Sequence, residues 1–346
     1  MSMNNYRIIQ FDALRVIATL AVVWLHTSAQ RFYDCYPSIE WEARNLYDSM
    51  VRWAVPIFVM ISGSLFLNSG KKIRIKELYT KNIMRVVIIF FFWSIVYGVY
   101  DGIDEKGFAG LVGRILQGPF HFWFLKMIIG LYICVPILRV IVKDKNLEKY
   151  LIFISLVTAF VIPILFSLIG FISDIARDFA VKNYNEFGIT IASGYIGYFV
   201  LGHYLTHNTI SDNIKKVIYA LGIMSIGGVC LLTNIASNNI GEPFLFLYEY
   251  INIFTLFEAL ALFIVIKEQR INPKFHIILT HASKLSLGVY IIHPLVMSIL
   301  FDYWKIDSAS LNPLYFIPLY ALAIFAISYF LAFILNRTPI IQKFII

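Results

Sequence analysis

Charged residues are scarce in this chain of 346 residues. They make up 14% of the sequence, while hydrophobic residues reach 59% and the mean hydropathy is +0.74. Because a soluble domain carries roughly a quarter charged residues, this composition excludes an ordinary soluble protein and predicts an integral membrane protein in contact with lipid. The net charge of +8 is then explained by membrane topology. No RNA- or DNA-binding motif is present, so we expect no nucleic-acid partner.

Cysteine is also sparse. The three cysteines, Cys35, Cys134 and Cys230, lie far apart, which predicts neither a disulfide framework nor a metal site. No cluster of histidine, cysteine or carboxylate residues has metal-ligand spacing. A G-x-S-x-G nucleophile elbow, a P-loop and a Rossmann fingerprint are all missing. A serine hydrolase, an ATPase and a zinc enzyme are therefore disfavoured.

Long apolar runs dominate the rest of the sequence. Ten runs are long enough to cross a bilayer, near residues 11–30, 49–69, 80–100, 121–141, 150–171, 188–206, 214–233, 246–266, 284–301 and 313–335. The first is interpreted as an uncleaved span, because His26 interrupts it and further spans follow. The longest external connections, about 101–120 and 172–187, suit short amphipathic pieces. We predict an all-α, polytopic membrane helix bundle that forms one domain over residues 1–346.

Basic residues beside the span ends predict the orientation of the bundle. With a cytoplasmic N-terminus, each cytoplasmic segment receives its own basic residues, among them Arg7, Lys71, Lys72, Arg74, Arg139, Lys143, Lys215, Lys216, Lys267, Arg270, Arg337 and Lys343. An even number of spans then places the C-terminus in the cytoplasm as well.

The first span carries the costliest polar groups. Arg15 and His26 are eleven residues apart, and eleven helical steps return to within about 20° of the start, so both lie on one stripe about 16 Å apart along the axis. Ionisable groups inside a span indicate a functional site. Alternatively, His26 hydrogen-bonds a neighbouring helix, and Arg15 snorkels to the surface or pairs with Asp12.

The second span and its connection add further cations. Arg52 lies at the outer end of the span and either snorkels or supports the site. Pro56 should kink the helix, and Gly63 should allow close helix approach. The basic connection that follows, with Lys81 and Arg85, suits an anionic ligand such as a nucleotide phosphate, or else lipid headgroups.

Later spans carry more candidate residues. Ser286, Tyr290 and His293 are spaced i, i+4 and i+7, so they share a helix face that should meet protein or a cavity. His121 and Trp123 are expected at the outer interface. Lys126 lies about a turn deeper, and Glu258, near the middle of its span, is its partner, a base or a helix contact.

Five motifs together resemble the acyltransferase-3 family of membrane acyltransferases. They are FDALRVIATLAVVWLH, RWAVPIFVMISG, HFWFLKMIIGLYICVPIL, ASGYIGYFVLGHYL and LSLGVYIIHPL, in family order over essentially the whole chain. The chain is most similar to short stand-alone members that O-acetylate bacterial surface glycans. His26 matches the family's essential histidine and Arg15 its essential basic residue. Arg85 matches one end of a basic pair, but Asn82 stands where the other member is expected, with Lys81 beside it.

The resemblance implies transfer of an acyl group, usually acetyl, from cytoplasmic acyl-CoA to a sugar hydroxyl on the outer side of a bacterial cell membrane. Arg15, Lys81 and Arg85 would bind acetyl-CoA. His26 would act as a general base or as a transient acyl carrier. His121, Trp123, Ser286, Tyr290 and His293 would bind a surface polysaccharide or lipid-linked sugar, with Arg52 and Glu258 in support.

Two further readings of the sequence are open. A ten-span bundle with intramembrane Arg, His and Glu side chains also suits a glycan exporter or a proton-coupled transporter. Against transport, the chain has no repeated half and no paired broken helices. A homo-oligomer is an open alternative to a monomer.

Overall fold

The computed structural model describes residues 8–70, 73–102, 107–170, 173–186, 194–338 and 342. Within these ranges the protein is helical and has no strand, as the sequence predicts. The basic residues Arg7, Lys71, Lys72 and Lys343 lie outside the described ranges. The first α-helices of the described residues are α1 (Ile9–Ala29), α2 (Ile39–Ser49), α3 (Ala54–Phe66), α4 (Ile75–Glu77), α5 (Met84–Asp101), α6 (Gly107–Gln117), α7 (Trp123–Ile141) and α8 (Lys145–Ser155). They are followed by α9 (Ile162–Gly170), α10 (Asp174–Glu186), α11 (Ile196–His207), α12 (Asp212–Ile240), α13 (Ile253–Glu268), α14 (His276–Trp304) and α15 (Pro313–Leu335).

Nine helical segments in the described ranges are long and apolar enough to cross a membrane. They correspond to nine of the ten predicted spans. The remaining predicted span, at 188–206, coincides with α11, whose described part has 12 residues. Residues 188–193 of that predicted span lie outside the described ranges. The predicted external connections contain the short helices α6 and α10.

Polar caps set the ends of several helices. Ser38 accepts a hydrogen bond from the Trp41 backbone at the start of α2. The Asp144 side chain accepts hydrogen bonds from the Asn146 and Leu147 backbone at the start of α8. The Asn252 side chain accepts one from the Phe254 backbone at the start of α13. Such caps satisfy backbone N–H groups that have no partner within the helix.

The second span differs from its prediction. Expected at 49–69, the apolar helical segment covers Ile39–Phe66 and contains a turn between α2 and α3, which begins at Ala54. Pro56 therefore lies in the first turn of α3, where a missing backbone N–H costs nothing. The expected kink at Pro56 is wrong for this reason.

Contacts between helix ends support an up-and-down arrangement. On the side predicted to be cytoplasmic, Gln10 donates to the Gln269 carbonyl at 3.1 Å, and Lys215 pairs with Glu268 at 2.7 Å. On the opposite side, Tyr198 donates to the Tyr250 carbonyl at 2.8 Å. The ends that the sequence assigns to one side of the membrane thus meet one another.

Two glycines create a close helix crossing between α3 and α11. A Cβ atom on Gly63 would lie 1.7 Å from the Phe199 carbonyl oxygen, and one on Gly202 would lie 2.0 Å from the Met60 carbonyl oxygen. Ser64 donates a hydrogen bond of 2.7 Å to the Gly202 carbonyl across the same crossing. Small residues that let backbones touch are typical of membrane helix contacts, and the prediction for Gly63 is confirmed.

Candidate active site

A pair of stacked imidazoles lies between α1 and α14. His26 Nδ1 and His293 Nε2 are 2.6 Å apart, and the rings are nearly parallel, at 9° with centroids 4.9 Å apart. His293 is fully buried, while His26 is half-buried. The structure thus brings together two residues that are distant in sequence and that the stripe patterns of spans one and nine predict separately.

Hydrogen bonding assigns the protons of this pair. His293 Nδ1 lies 3.1 Å from the Val289 carbonyl oxygen, which can only accept, so Nδ1 of a neutral His293 carries the proton. Its Nε2 is then an acceptor, and His26 Nδ1 must be the donor. This tautomer leaves the lone pair of His26 on Nε2, which is the nitrogen that a general base or a nucleophile uses.

An inserted hydroxyl explains why α14 holds His293 in place. Pro294 has no backbone N–H and disturbs the helix around it. The Tyr97 hydroxyl accepts from the Leu295 backbone N–H at 3.0 Å and donates to the Ile291 carbonyl at 2.7 Å. Tyr97 therefore bridges a helical hydrogen bond opened beside the proline, a recognised cause of a local kink. Nothing in the sequence beyond an aromatic residue in a neighbouring span points to Tyr97.

A third histidine lies edge-on to the pair. The His121 ring centroid is 6.5 Å from that of His26 and 5.9 Å from that of His293. Tyr290 donates to the His121 carbonyl. His121 was expected at the outer interface but is buried, and neither ring nitrogen has a hydrogen-bond partner among the described residues. Across the described chain, no group of three or more His, Cys, Asp or Glu side chains could hold a metal ion.

A cavity of about 260 Å³ adjoins the imidazole pair. It is lined by His26, Ala29, Gln30, Phe120, Pro294, Met297 and Ser298. Ala29 and Gln30 end α1 at the outer level, so the cavity approaches His26 from the outside. A group reaching this space would meet the His26 ring first.

Arg52 and Glu258 lie near the histidines in the outer half. Arg52 does not snorkel: it is buried, pairs with Asp48 and donates to the Tyr248 carbonyl at 2.9 Å. Its guanidinium also lies 4.1 Å from the Tyr248 ring centroid. Arg52 and Asp48 are the charged groups that act on the buried Glu258.

Of the three alternatives for Glu258, the structure does not show the pairing with Lys126. Lys126 is exposed, donates to the Gln117 carbonyl at 2.6 Å and lies over the Phe90 ring. The surface offers its ammonium group hydration as well as these partners, whereas Glu258 lies inside the bundle. The charged side chain that acts most strongly on Glu258 is therefore Arg52, not Lys126.

Arg15 lies at the other end of the α1 stripe and is tied to α14. It pairs with Asp12 at 3.5 Å, as one sequence alternative holds. The buried Asp12 accepts a hydrogen bond of 2.7 Å from Ser283. Thr19 and Val22, between Arg15 and His26, are both buried. The stripe thus faces protein rather than lipid.

Arg15 and Arg85 act on one side chain. Both guanidinium groups interact electrostatically with the half-buried Tyr132, which also hydrogen-bonds Ser62. Arg85 follows a π-helical segment, Leu78–Ile83, of the kind frequent at functional sites. Lys81 is not part of this group: its side chain is 72% exposed and pairs with Glu77 at 3.3 Å.

The other predicted substrate-binding residues fall in different places. Trp123 stacks on Tyr250, with centroids 5.4 Å apart, and contacts Tyr195 at 5.8 Å. These rings form an aromatic group at the outer ends of α7, α11 and α13. Ser286 is buried and bonds back to the Ala282 carbonyl of its own helix at 3.4 Å, so no contact joins it to the histidine pair.

Comparison with known proteins places the chain. A family model described as an acyltransferase domain matches residues 8–333, nearly the whole sequence. Comparisons with curated proteins and with solved structures found no match. The matched range contains both paired histidines, the Arg15 stripe and all the helices described above, apart from the last two residues of α15. The chain therefore belongs to the acyltransferase-3 family and is a multi-pass membrane acyltransferase.

Proposed function

We propose that this acyltransferase moves an acetyl group from cytoplasmic acetyl-CoA to a hydroxyl of a cell-surface glycan or lipid-linked sugar on the outer side of a bacterial cell membrane. The observation that carries the proposal is the polarity of α1. Its inner end bears Arg15, near Arg85, and its outer end bears His26 beside an outward cavity. Donor and acceptor would approach one imidazole from opposite sides.

The cytoplasmic cations suit the donor. Arg15 and Arg85 supply guanidinium groups that bind phosphate oxygens well. The pantetheine arm of CoA is about as long as the axial separation of Arg15 and His26, which is about 16 Å at the helical rise. A thioester carbonyl could therefore reach the imidazole pair while the phosphates stay at the cytoplasmic mouth. Lys81 is exposed and pairs with Glu77, so this account of donor binding does not rely on it.

The paired histidines suit two routes. As a general base, His26 Nε2 removes the acceptor hydroxyl proton; the oxygen attacks the thioester carbon, the C–S bond breaks, and the CoA thiolate takes the proton. As a carrier, His26 Nε2 attacks the thioester carbon, the C–S bond breaks and CoA leaves as the thiolate, while the Nδ1 proton of His26 passes to His293 Nε2, 2.6 Å away. The acceptor oxygen then attacks the acyl carbon, the C–N bond to His26 breaks, His293 returns the proton to His26 Nδ1, and the hydroxyl proton goes to the CoA thiolate.

The test uses purified full-length protein with radiolabelled acetyl-CoA and a panel of glycan acceptors. We expect label on an acceptor with wild-type protein and none with His26→Ala, provided that gel filtration shows folded His26→Ala protein. Full transfer by this variant would sink the proposal. A transporter would instead move glycan without consuming CoA.

A second measurement separates the two routes. With acceptor omitted, a carrier leaves acid-labile label on wild-type protein but not on His26→Ala. A general base leaves the protein unlabelled and releases CoA only when acceptor is added. Mass spectrometry of surface polysaccharide from cells with and without the protein identifies the natural acceptor.

A further inference from the structure

A second outer cavity adjoins the one beside His26. It has a volume of about 510 Å³ and is lined by Gln30, Arg31, Asp34, Phe301 and Asp307. Gln30 lines both cavities. The two cavities thus lie side by side at Gln30 and are together called the groove; their combined size is within the range of about 300–1,000 Å³ that is typical of small-molecule sites.

The shared wall of the groove is firmly built. Gln30 accepts a hydrogen bond from the Ser308 backbone at 3.1 Å through its side chain. Its own carbonyl accepts from Arg44 at 2.8 Å. Arg44 is fully buried and also donates to the Ser308 carbonyl at 3.0 Å. One arginine thus joins the end of α1 to the segment after α14, which fixes both sides of the groove.

The rim carries balanced charges. Arg31 pairs with Asp34 at 3.4 Å and with Asp307 at 3.7 Å, while Lys305 lies over the Phe301 ring at 5.4 Å. Two cations and two carboxylates cancel, so the rim does not select an anion or a cation. It offers both donors and acceptors, as a neutral polyhydroxylated ligand needs.

Backbone conformation and aromatic exposure point the same way. Arg31 and Lys305 both have φ near +55°, an uncommon conformation for residues other than glycine that is worth noting near a binding site. Each cavity also has one exposed ring: Phe120 is 69% exposed in the inner cavity and Phe301 is 45% exposed in the outer one. Exposed aromatic faces suit the C–H faces of sugar rings.

We propose that the groove binds two consecutive sugar units of the acceptor. The inner cavity places the hydroxyl-bearing unit beside His26, and the outer cavity holds its neighbour against Arg31, Asp34 and Asp307. The acceptor is therefore at least a disaccharide, uncharged at the outer unit. This assignment rests on the proposed function, since it takes the cavity beside His26 as the acceptor site.

The experiment measures sugar binding in the absence of acyl-CoA. Full-length protein in nanodiscs is titrated with cellobiose, lactose and N,N′-diacetylchitobiose, and with the corresponding monosaccharides. We expect at least one disaccharide to bind on the order of tenfold more tightly than its monosaccharides, as hydrogen bonds to charged groups would give. Arg31→Gln and Asp307→Asn should each remove most of that gain.

Two further variants keep the test decisive. Asp34→Asn changes a largely exposed side chain. If this variant binds the disaccharide no more tightly than its monosaccharides, misfolding does not explain the result. Arg177→Gln is the matched control, because Arg177 also pairs with an aspartate, Asp178, at 3.0 Å but lies outside the groove. The proposal is overturned if no disaccharide binds more tightly than its monosaccharides, or if the gain survives all three groove variants. Acyl transfer can fail independently, since no acyl donor is present here.

Discussion

Replacing His293 tests whether the imidazole pair works as a unit. In wild-type protein the Nδ1–H of His26 lies 2.6 Å from its acceptor, His293 Nε2. The His293→Ala variant removes that acceptor. A buried donor without a partner costs about 1–3 kcal/mol. This cost would lower the fraction of protein with a correctly oriented His26 ring by about 5- to 150-fold. Loss of a group that accepts a proton during the reaction adds roughly 10²–10⁴-fold.

His293→Gln separates these two effects. The glutamine oxygen can accept the hydrogen bond from His26 but cannot take up its proton. If His293 receives the proton, we expect His293→Gln to lower turnover by at least about 10²-fold and His293→Ala to lower it further. If His293 only orients His26, the glutamine variant stays within about tenfold of wild type.

The assay is release of CoA thiol with acceptor present, on protein shown to be folded by gel filtration. His281→Ala is the matched control: His281 is also on α14 and bonds the Tyr329 hydroxyl at 2.9 Å, away from the pair. It should leave turnover within about twofold. Turnover within tenfold of wild type for both His293 variants would refute a working pair.

Three other variants test the fold and the two ends of the site. Gly202→Ala places a methyl 2.0 Å from the Met60 carbonyl oxygen, so we expect it to lower the free energy of unfolding by about 1–3 kcal/mol and to lower the unfolding temperature. Gly227→Ala, with nothing within 4 Å, should not destabilise the protein. Equal unfolding temperatures for the two variants would contradict the close crossing of α3 and α11. Tyr97→Phe removes both bridging hydrogen bonds, so we expect a loss of about 1–3 kcal/mol in stability and a lower rate of transfer; unchanged stability and rate would show that the bridge is unimportant. Arg15→Gln should raise the KM for acetyl-CoA by about tenfold or more, whereas the exposed Lys81→Gln should change it by less than about twofold; the reverse order would place the donor elsewhere.

Helix periodicity accounts for most of what the sequence predicts correctly. The eleven-residue spacing of Arg15 and His26 places both on a buried stripe, and the spacing of Tyr290 and His293 directs both inward. Hydropathy locates nine spans because backbone groups in lipid must be satisfied within helices. None of this needs knowledge of which helices touch.

Pairings between distant helices could not be predicted. His26 meets His293 only because α1 packs on α14, and one sequence does not reveal neighbours. A pairing of Lys126 with Glu258 was one alternative suggested by charge, but hydration at the surface outweighs such a pairing. Snorkelling to water was one of two alternatives for Arg52, and Asp48 and the Tyr248 carbonyl, the latter from a remote segment, make its burial tolerable instead.

The ties between α1 and α14 bear on how the enzyme turns over. These two helices are fastened near the cytoplasm by Asp12 and Ser283 and near the outside by His26 and His293. Rocking one helix against the other, as carriers with alternating access do, would break both fastenings at once. The contacts therefore favour a mechanism in which α1 and α14 stay fixed relative to each other. Under the proposed function, acyl donor and acceptor enter and leave at the two ends of this fixed pair of helices.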